Sequence, residues 1–279
     1  MNSLLNKFKN VKLYLKNFIC KILIYSQKTS KPINLKIINI NIDTIDEINQ
    51  LLNKDLSKKN IYLRFWIPPE KVCTHGGFRC KGGRHPFIAF LLYGVDALDS
   101  FYKKFTPKNI AQMYFQPEKG YTGEDLPPWE LPWIPRSIMS PPAGEGGLSI
   151  DEGVSYFGPV TEKKLKLECQ RISMVKESIL KKGYMPDTDI NGLFFKDEKD
   201  FVFFVRGGKH RAAVLGFLGY QRIPVTMRHG WPFVISEKNV SEWSLVKSGD
   251  INEKLALKIF RSYLQNNGIH QFNQLKIQL

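Results

Sequence analysis

The chain places three cationic side chains, Lys209, His210 and Arg211, directly after a glycine pair, Gly207-Gly208. That combination suits an oxyanion. Glycines let the main chain turn sharply and approach a ligand with no Cβ in the way. The guanidinium, imidazole and ammonium groups offer donors of different geometry to phosphate oxygens. Ahead of the pair, residues 201–205 are short, aromatic and β-branched, the pattern of a buried strand. Behind it, residues 212–218 read as a short helix stopped by Gly219, and residues 222–227 as a second strand. These elements must present the basic triplet at a strand-to-helix turn. There, main-chain N–H groups and the positive end of the helix add to the side-chain charge.

The run Gly208-Lys209-His210-Arg211-Ala212-Ala213, closing on Gly219-Tyr220-Gln221-Arg222-Ile223-Pro224-Val225, resembles the Gly-x-His-Arg box of the ParB/sulfiredoxin-like superfamily. Upstream, the stretch from Arg171 to Tyr184, with Ser178-Ile179 and Gly183 inside it, resembles the helical element of the same superfamily. The two blocks cover about residues 155–228. The resemblance implies that the box holds the phosphates of a nucleotide, with Gly207, Gly208, Lys209, His210 and Arg211 as the cradle and Ser178 as a further donor. Two departures narrow what it implies. Lys209 stands where sulfiredoxins carry their reactive cysteine, which argues against sulfinic-acid reduction. The residues after Val225 show no helix-turn-helix of the kind that partitioning ParB proteins carry. What the resemblance leaves is nucleotide binding, nucleotide hydrolysis, nuclease activity, and ATP-dependent phosphorylation of a small hydroxyl compound, as in the free-serine kinases.

Phosphoryl transfer needs a phosphate cradle, usually a magnesium ion, and a carboxylate to take the proton of the attacking hydroxyl. Glu168 is the first candidate for that carboxylate, three residues before Arg171, so that both share one helix face. Their bland alternative is a surface ion pair. Glu168, Arg171 and His210 are accordingly the expected catalytic residues. Asp187 and Asp189, expected in a loop after Tyr184, are second candidates for the base or for holding magnesium.

Stepping outward, the chain of 279 residues carries a net charge of +15, with lysines crowding its two ends. Residues 1–31 hold seven Lys and no acidic residue, while Leu4, Phe8, Val11, Leu15, Phe18 and Ile22 recur at spacings of four and three. This is the pattern of a basic amphipathic helix suited to an anionic membrane surface, and it is too interrupted to span a bilayer. Four cysteines in a chain of this size do not make a disulfide scaffold, so a reducing, cytoplasmic location is expected, with peripheral contact at the inner membrane face as an open option. Cys73, His75, Cys80 and His85 are of zinc-ligand type, but their spacing matches no zinc module, and a loop with reduced thiols is preferred. Arg84 and His85 are also candidates for further anion contacts. Residues 88–105 have helical periodicity. The stretch 116–147 is Pro-rich loop, with Trp129 and Trp133 expected to glue it to the surface. Residues 252–264 read as an amphipathic docking helix.

The expected class is α+β. A basic helix (1–31) and a smaller α/β region (32–148) precede a ParB/Srx-like mixed α/β nucleotide-binding domain (149–229) and a helical extension (230–279). The expected function is an ATP-dependent kinase, using ATP or another nucleoside triphosphate with Mg²⁺, acting on a small-molecule or glycan hydroxyl. The alternatives are a ParB-like nucleotide- and nucleic-acid-binding protein or nuclease, and a nucleotide-sensing regulator without turnover. Steep salt dependence of duplex DNA binding separates the nucleic-acid alternative from the others.

Overall fold

A computed structural model of the chain describes residues 36–53, 61–82, 84–115, 126–136, 148–185, 189–265 and 268. The basic segment 1–31, with its expected amphipathic helix, and Asp187 lie outside the described residues. In chain order the elements are β1 (Lys36–Asn41), α1 (Ile45–Asn53), β2 (Ile61–Ile67), β3 (Val72–Cys73), α2 (Pro86–Tyr93), α3 (Val95–Lys104), α4 (Ile110–Tyr114), α5 (Glu162–Lys182), β4 (Ile190–Lys196), β5 (Phe201–Gly207), α6 (Lys209–Phe217), β6 (Ile223–Met227), β7 (Val234–Ser236), α7 (Ser244–Lys247) and α8 (Glu253–Gln265).

The strands form one mixed seven-stranded sheet in the order β1-β2-β6-β4-β5-β3, with β7 also pairing β4. β2 lies antiparallel to β6 and β3 lies parallel to β5, so strands from both halves of the chain share the sheet. The division expected near residue 149 is therefore a division of the sequence that the sheet does not follow. Residue chemistry tracks strand position. β1, at an edge, alternates apolar and polar residues, whereas the stretch from Phe201 to Val205 in β5 is buried throughout. Successive residues of β4 face opposite sides of the sheet. Phe194 packs against Phe65, Phe203 and Phe233, and Phe195 against Phe204, Phe260 and Tyr263. α8 covers this second face. Trp133 is 4% exposed and packs on Phe195, Trp243 and Phe260, so it fastens the Pro-rich loop to the core.

Two local expectations change. The helical periodicity of residues 88–105 belongs to two helices, α2 and α3, separated by Gly94 at φ 83°, a left-handed value that ends the first. The helix expected from residue 212 begins at Lys209, so the basic triplet forms its first turn. Residues 190–196, for which no element was expected, form the central strand β4. Among the described residues no helix is long and apolar enough to cross a membrane.

Candidate anion-binding site

One end of the sheet gathers polar residues from four strands. Asn191, the second residue of β4, pairs with Gly207, which closes β5. Asn191 also pairs with Thr226 near the end of β6, and the Thr226 hydroxyl donates to Leu63 O of β2 (3.1 Å). Gly208 follows in the left-handed region (φ 87°) as the N-cap of α6 and supplies no side-chain cap. A Cβ there would stand 3.1 Å from Ile190 Cα and 3.2 Å from Arg211 Nη2, so glycine fits both the backbone and the space. The ladder of α6 starts with Ala212 N–H donating to Gly208 O (3.0 Å), and the N–H groups of its first turn point out of the helix end.

Around this helix start the basic side chains fall into two groups. In the first, Arg211 lies by Gly208, and Arg64 pairs with Asp189 (3.3 Å). The Tyr62 hydroxyl also donates to Asp189. Burial first, and then the Asp189 contact, push the Tyr62 hydroxyl up to about 12. In the second group, Arg206 and Arg228 stack on the ring of Trp231, with guanidinium carbons 5.7 and 5.2 Å from its centroid. Arg228 Nη1 donates to Asn191 Oδ1 (3.1 Å), a neutral acceptor, and among the described residues its buried Nε has no hydrogen-bond partner. Burial, then the charge of Arg206, lower the Arg228 guanidinium from its ordinary value. Among the described residues neither Arg206 nor Arg228 has a carboxylate partner. Lys209 Nζ lies over the Tyr156 ring (4.9 Å), and that ring packs on buried His75 (5.3 Å).

Glu168 is fully buried on α5, a helix capped by Thr161 and ended at Gly183. Its carboxylate takes Lys164 Nζ (2.8 Å), the Ser155 hydroxyl (2.7 Å) and His210 Nε2 (2.6 Å). The i to i+4 spacing brings Lys164 to it on one face. Burial alone would raise the carboxyl, but the His210 hydrogen bond and the charges of Lys209, His210 and Lys164 together hold it well below the usual carboxylate range. With Nε2–H donating to the carboxylate and the ring against Phe87 (4.8 Å), His210 is fixed in orientation.

The structure thus brings Gly207, Gly208, Lys209, His210, Arg211 and Glu168 together. Glu168 is not in a surface ion pair, and with no exposed surface and three donors it offers nothing to an incoming hydroxyl; it positions His210. Arg171 is half-buried on the next turn of α5, and Ser178 stands exposed, roughly 15 Å along the helix axis from Glu168. His85 is not a surface anion contact. It is buried, its Nδ1 accepts from Phe87 N (3.2 Å), its Nε2 meets Thr74 Oγ1 (3.1 Å), and burial lowers it to about 3. Cys73 and Cys80 are buried free thiols, and burial raises Cys73 to about 11. Among the described residues no three His, Cys, Asp or Glu side chains converge as a metal centre.

Sequence reasoning passed over Arg64, Ser155, Tyr156, Lys164, Asn191, Arg206, Arg228 and Trp231. Two carried a local signal: Arg206 abuts Gly207, and Lys164 precedes Glu168 by one helical turn. Arg64, Asn191, Arg228 and Trp231 come together through the pairing of β2, β6 and β4, and Ser155 and Tyr156 come from the segment ahead of α5. No protein-family model matches this chain, no curated protein does, and no solved structure does.

Proposed function

We propose that this chain binds a nucleoside triphosphate by its phosphates at the start of α6 and transfers a phosphoryl group to a hydroxyl of a small molecule or glycan, as a member of the ParB/sulfiredoxin-like superfamily that its Gly-x-His-Arg box resembles. The observation that carries this proposal is the convergence of an uncapped helix start with Arg206 and Arg228, which have no carboxylate counter-charge among the described residues. Fixed guanidinium donors beside main-chain N–H groups favour a phosphate, whose charge they neutralise in bidentate contacts. The Nε of Arg228, with no partner among the described residues, fits such a ligand.

Magnesium fits less well. Glu168 is taken by three donors, and Asp189 by Tyr62 and Arg64, so neither described carboxylate offers an open ligand. In this scheme the acceptor hydroxyl's proton passes to an oxygen of the transferred phosphoryl group, the nucleoside diphosphate leaves, and the protein's own work is electrostatic. It holds the phosphates, keeps His210 oriented through Glu168, and supplies cations where negative charge gathers during transfer.

Thermal shift against ATP, ADP, CTP and GTP, with and without magnesium, tests binding. A stabilisation of several degrees by at least one triphosphate is expected, and its loss in Arg211→Ala. Turnover is tested by nucleotide-dependent phosphorylation of a panel of hydroxyl metabolites and sugars. His210→Ala is expected to lower the rate by about 100-fold, within the usual range for removing a positioned catalytic group. Product formed by His210→Ala at the parent rate sinks the kinase assignment. Triphosphate binding without any product leaves a nucleotide sensor instead.

A further inference from the structure

The two basic groups around the start of α6 differ in one respect. Arg64, on the Arg211 side, is already balanced by Asp189 (3.3 Å). Arg206 and Arg228 share the ring of Trp231 and have no carboxylate partner among the described residues. Two like charges held against one indole repel each other. Asn191 Oδ1 accepts from Arg228 Nη1 and orients that guanidinium, while its buried Nε lacks an acceptor among the described residues. A guanidinium held by one edge, stacked on its face and left with an unsatisfied donor is preorganised for an oxyanion. Because Arg206 immediately precedes Gly207, the pair flanks the start of α6, within reach of a phosphate chain seated there.

We infer that Arg206 and Arg228, stacked on Trp231, form a second oxyanion subsite. It takes the distal phosphates of a triphosphate whose proximal phosphate lies at the start of α6, so the site selects triphosphates over monophosphates. This rests on the phosphate-binding proposal above and adds to it a division of labour. The α6 turn binds any phosphate, and the arginine pair counts how many follow.

Calorimetric titration of the full chain with ATP, AMP and inorganic tripolyphosphate, at one fixed ionic strength, tests it. The parent protein is expected to bind ATP and tripolyphosphate at least 10-fold more tightly than AMP. Arg228→Met and Arg206→Met are each expected to weaken ATP far more than AMP, bringing the ATP:AMP ratio to within about 3-fold of unity. Arg228→Lys, which keeps the charge and loses the planar fork, should recover only part of the selectivity. Unliganded melting curves of both Met variants identify any that do not fold, and the Arg206 and Lys forms then carry the comparison. If ATP binds and both Met variants keep the parent ratio, the subsite is overturned while the nucleotide site stands. If no phosphate compound binds at all, the nucleotide site fails and takes this inference with it.

Discussion

At the scale of single residues, the most constrained group is Glu168. A buried carboxylate is tolerated only when charge partners and hydrogen bonds replace its lost hydration. Lys164, Ser155 and His210 do so together. Lys164 is itself 1% exposed, so neutralising Glu168 takes a close counter-charge from a buried ammonium. Glu168→Gln is therefore expected to lose about 3 kcal/mol in urea denaturation, at the lower end of what breaking one side of a buried pair costs because the amide keeps some hydrogen bonding. Adding Lys164→Met removes the buried charge, so the double variant is expected to be more stable than Glu168→Gln alone. Strictly additive losses would show that the two side chains are not coupled.

At the scale of elements, α6 is held by close backbone packing. Gly216 sits in its interior, and a Cβ there would stand 1.6 Å from Cys80 O. In an open helix Gly→Ala gains up to about 1 kcal/mol. Here the sign is expected to reverse, with Gly216→Ala lowering the melting temperature because main chain cannot yield as a flexible side chain can. An increase would mean that α6 is not seated against the loop at Cys80. The same elements show what a sequence discloses. β5 and β6 were legible because their β-branched and aromatic runs are bounded by turn residues. β4 was not. Gly192 interrupts it, and burial of Leu193, Phe194 and Phe195 on both faces removes the alternation that marks a half-exposed strand. The glycine pair and basic triplet were legible for the opposite reason, since local spacing alone determines a strand-to-helix turn. Trp231 and Arg228 were invisible as site residues because only the pairing of β6 with β4 brings them to Asn191.

At the scale of the whole molecule, a basic chain with buried imidazoles has a stability that depends on pH in a definite direction. His75 is 2% exposed, its Nε2 donates to Pro128 O (3.0 Å), and Tyr263 OH lies 3.5 Å from its Nδ1. Tyr114 OH, 2.5 Å from Tyr263 OH, extends the chain, and Tyr156 and Phe204 close over the ring. Burial first, and the charge of Arg206 after it, lower His75 from 6.5 to about 4, while the Pro128 contact opposes them. The folded imidazole thus refuses a proton that the unfolded one accepts below 6.5. Its contribution is intact above that pH and is lost as pH falls toward about 4, a loss of about 3 kcal/mol. His85, lowered to about 3, acts in the same direction and continues further down. Glu168 works in a separate window. Its folded carboxyl is depressed, so its contribution is complete above the unfolded value of 4.5 and is lost only below it. Between pH 6.5 and 4.5 the buried imidazoles lower stability with acidity, opposed by Glu130, whose carboxyl burial raises above its ordinary value. Urea denaturation at half-unit steps across that interval is expected to show stability falling with acidity, and His75→Gln is expected to flatten the fall at the cost of lower stability at pH 7. An unchanged slope in the variant would mean that His75 gains its proton in the folded protein as readily as in the unfolded chain, and that the aromatic floor beneath Lys209 is open to water.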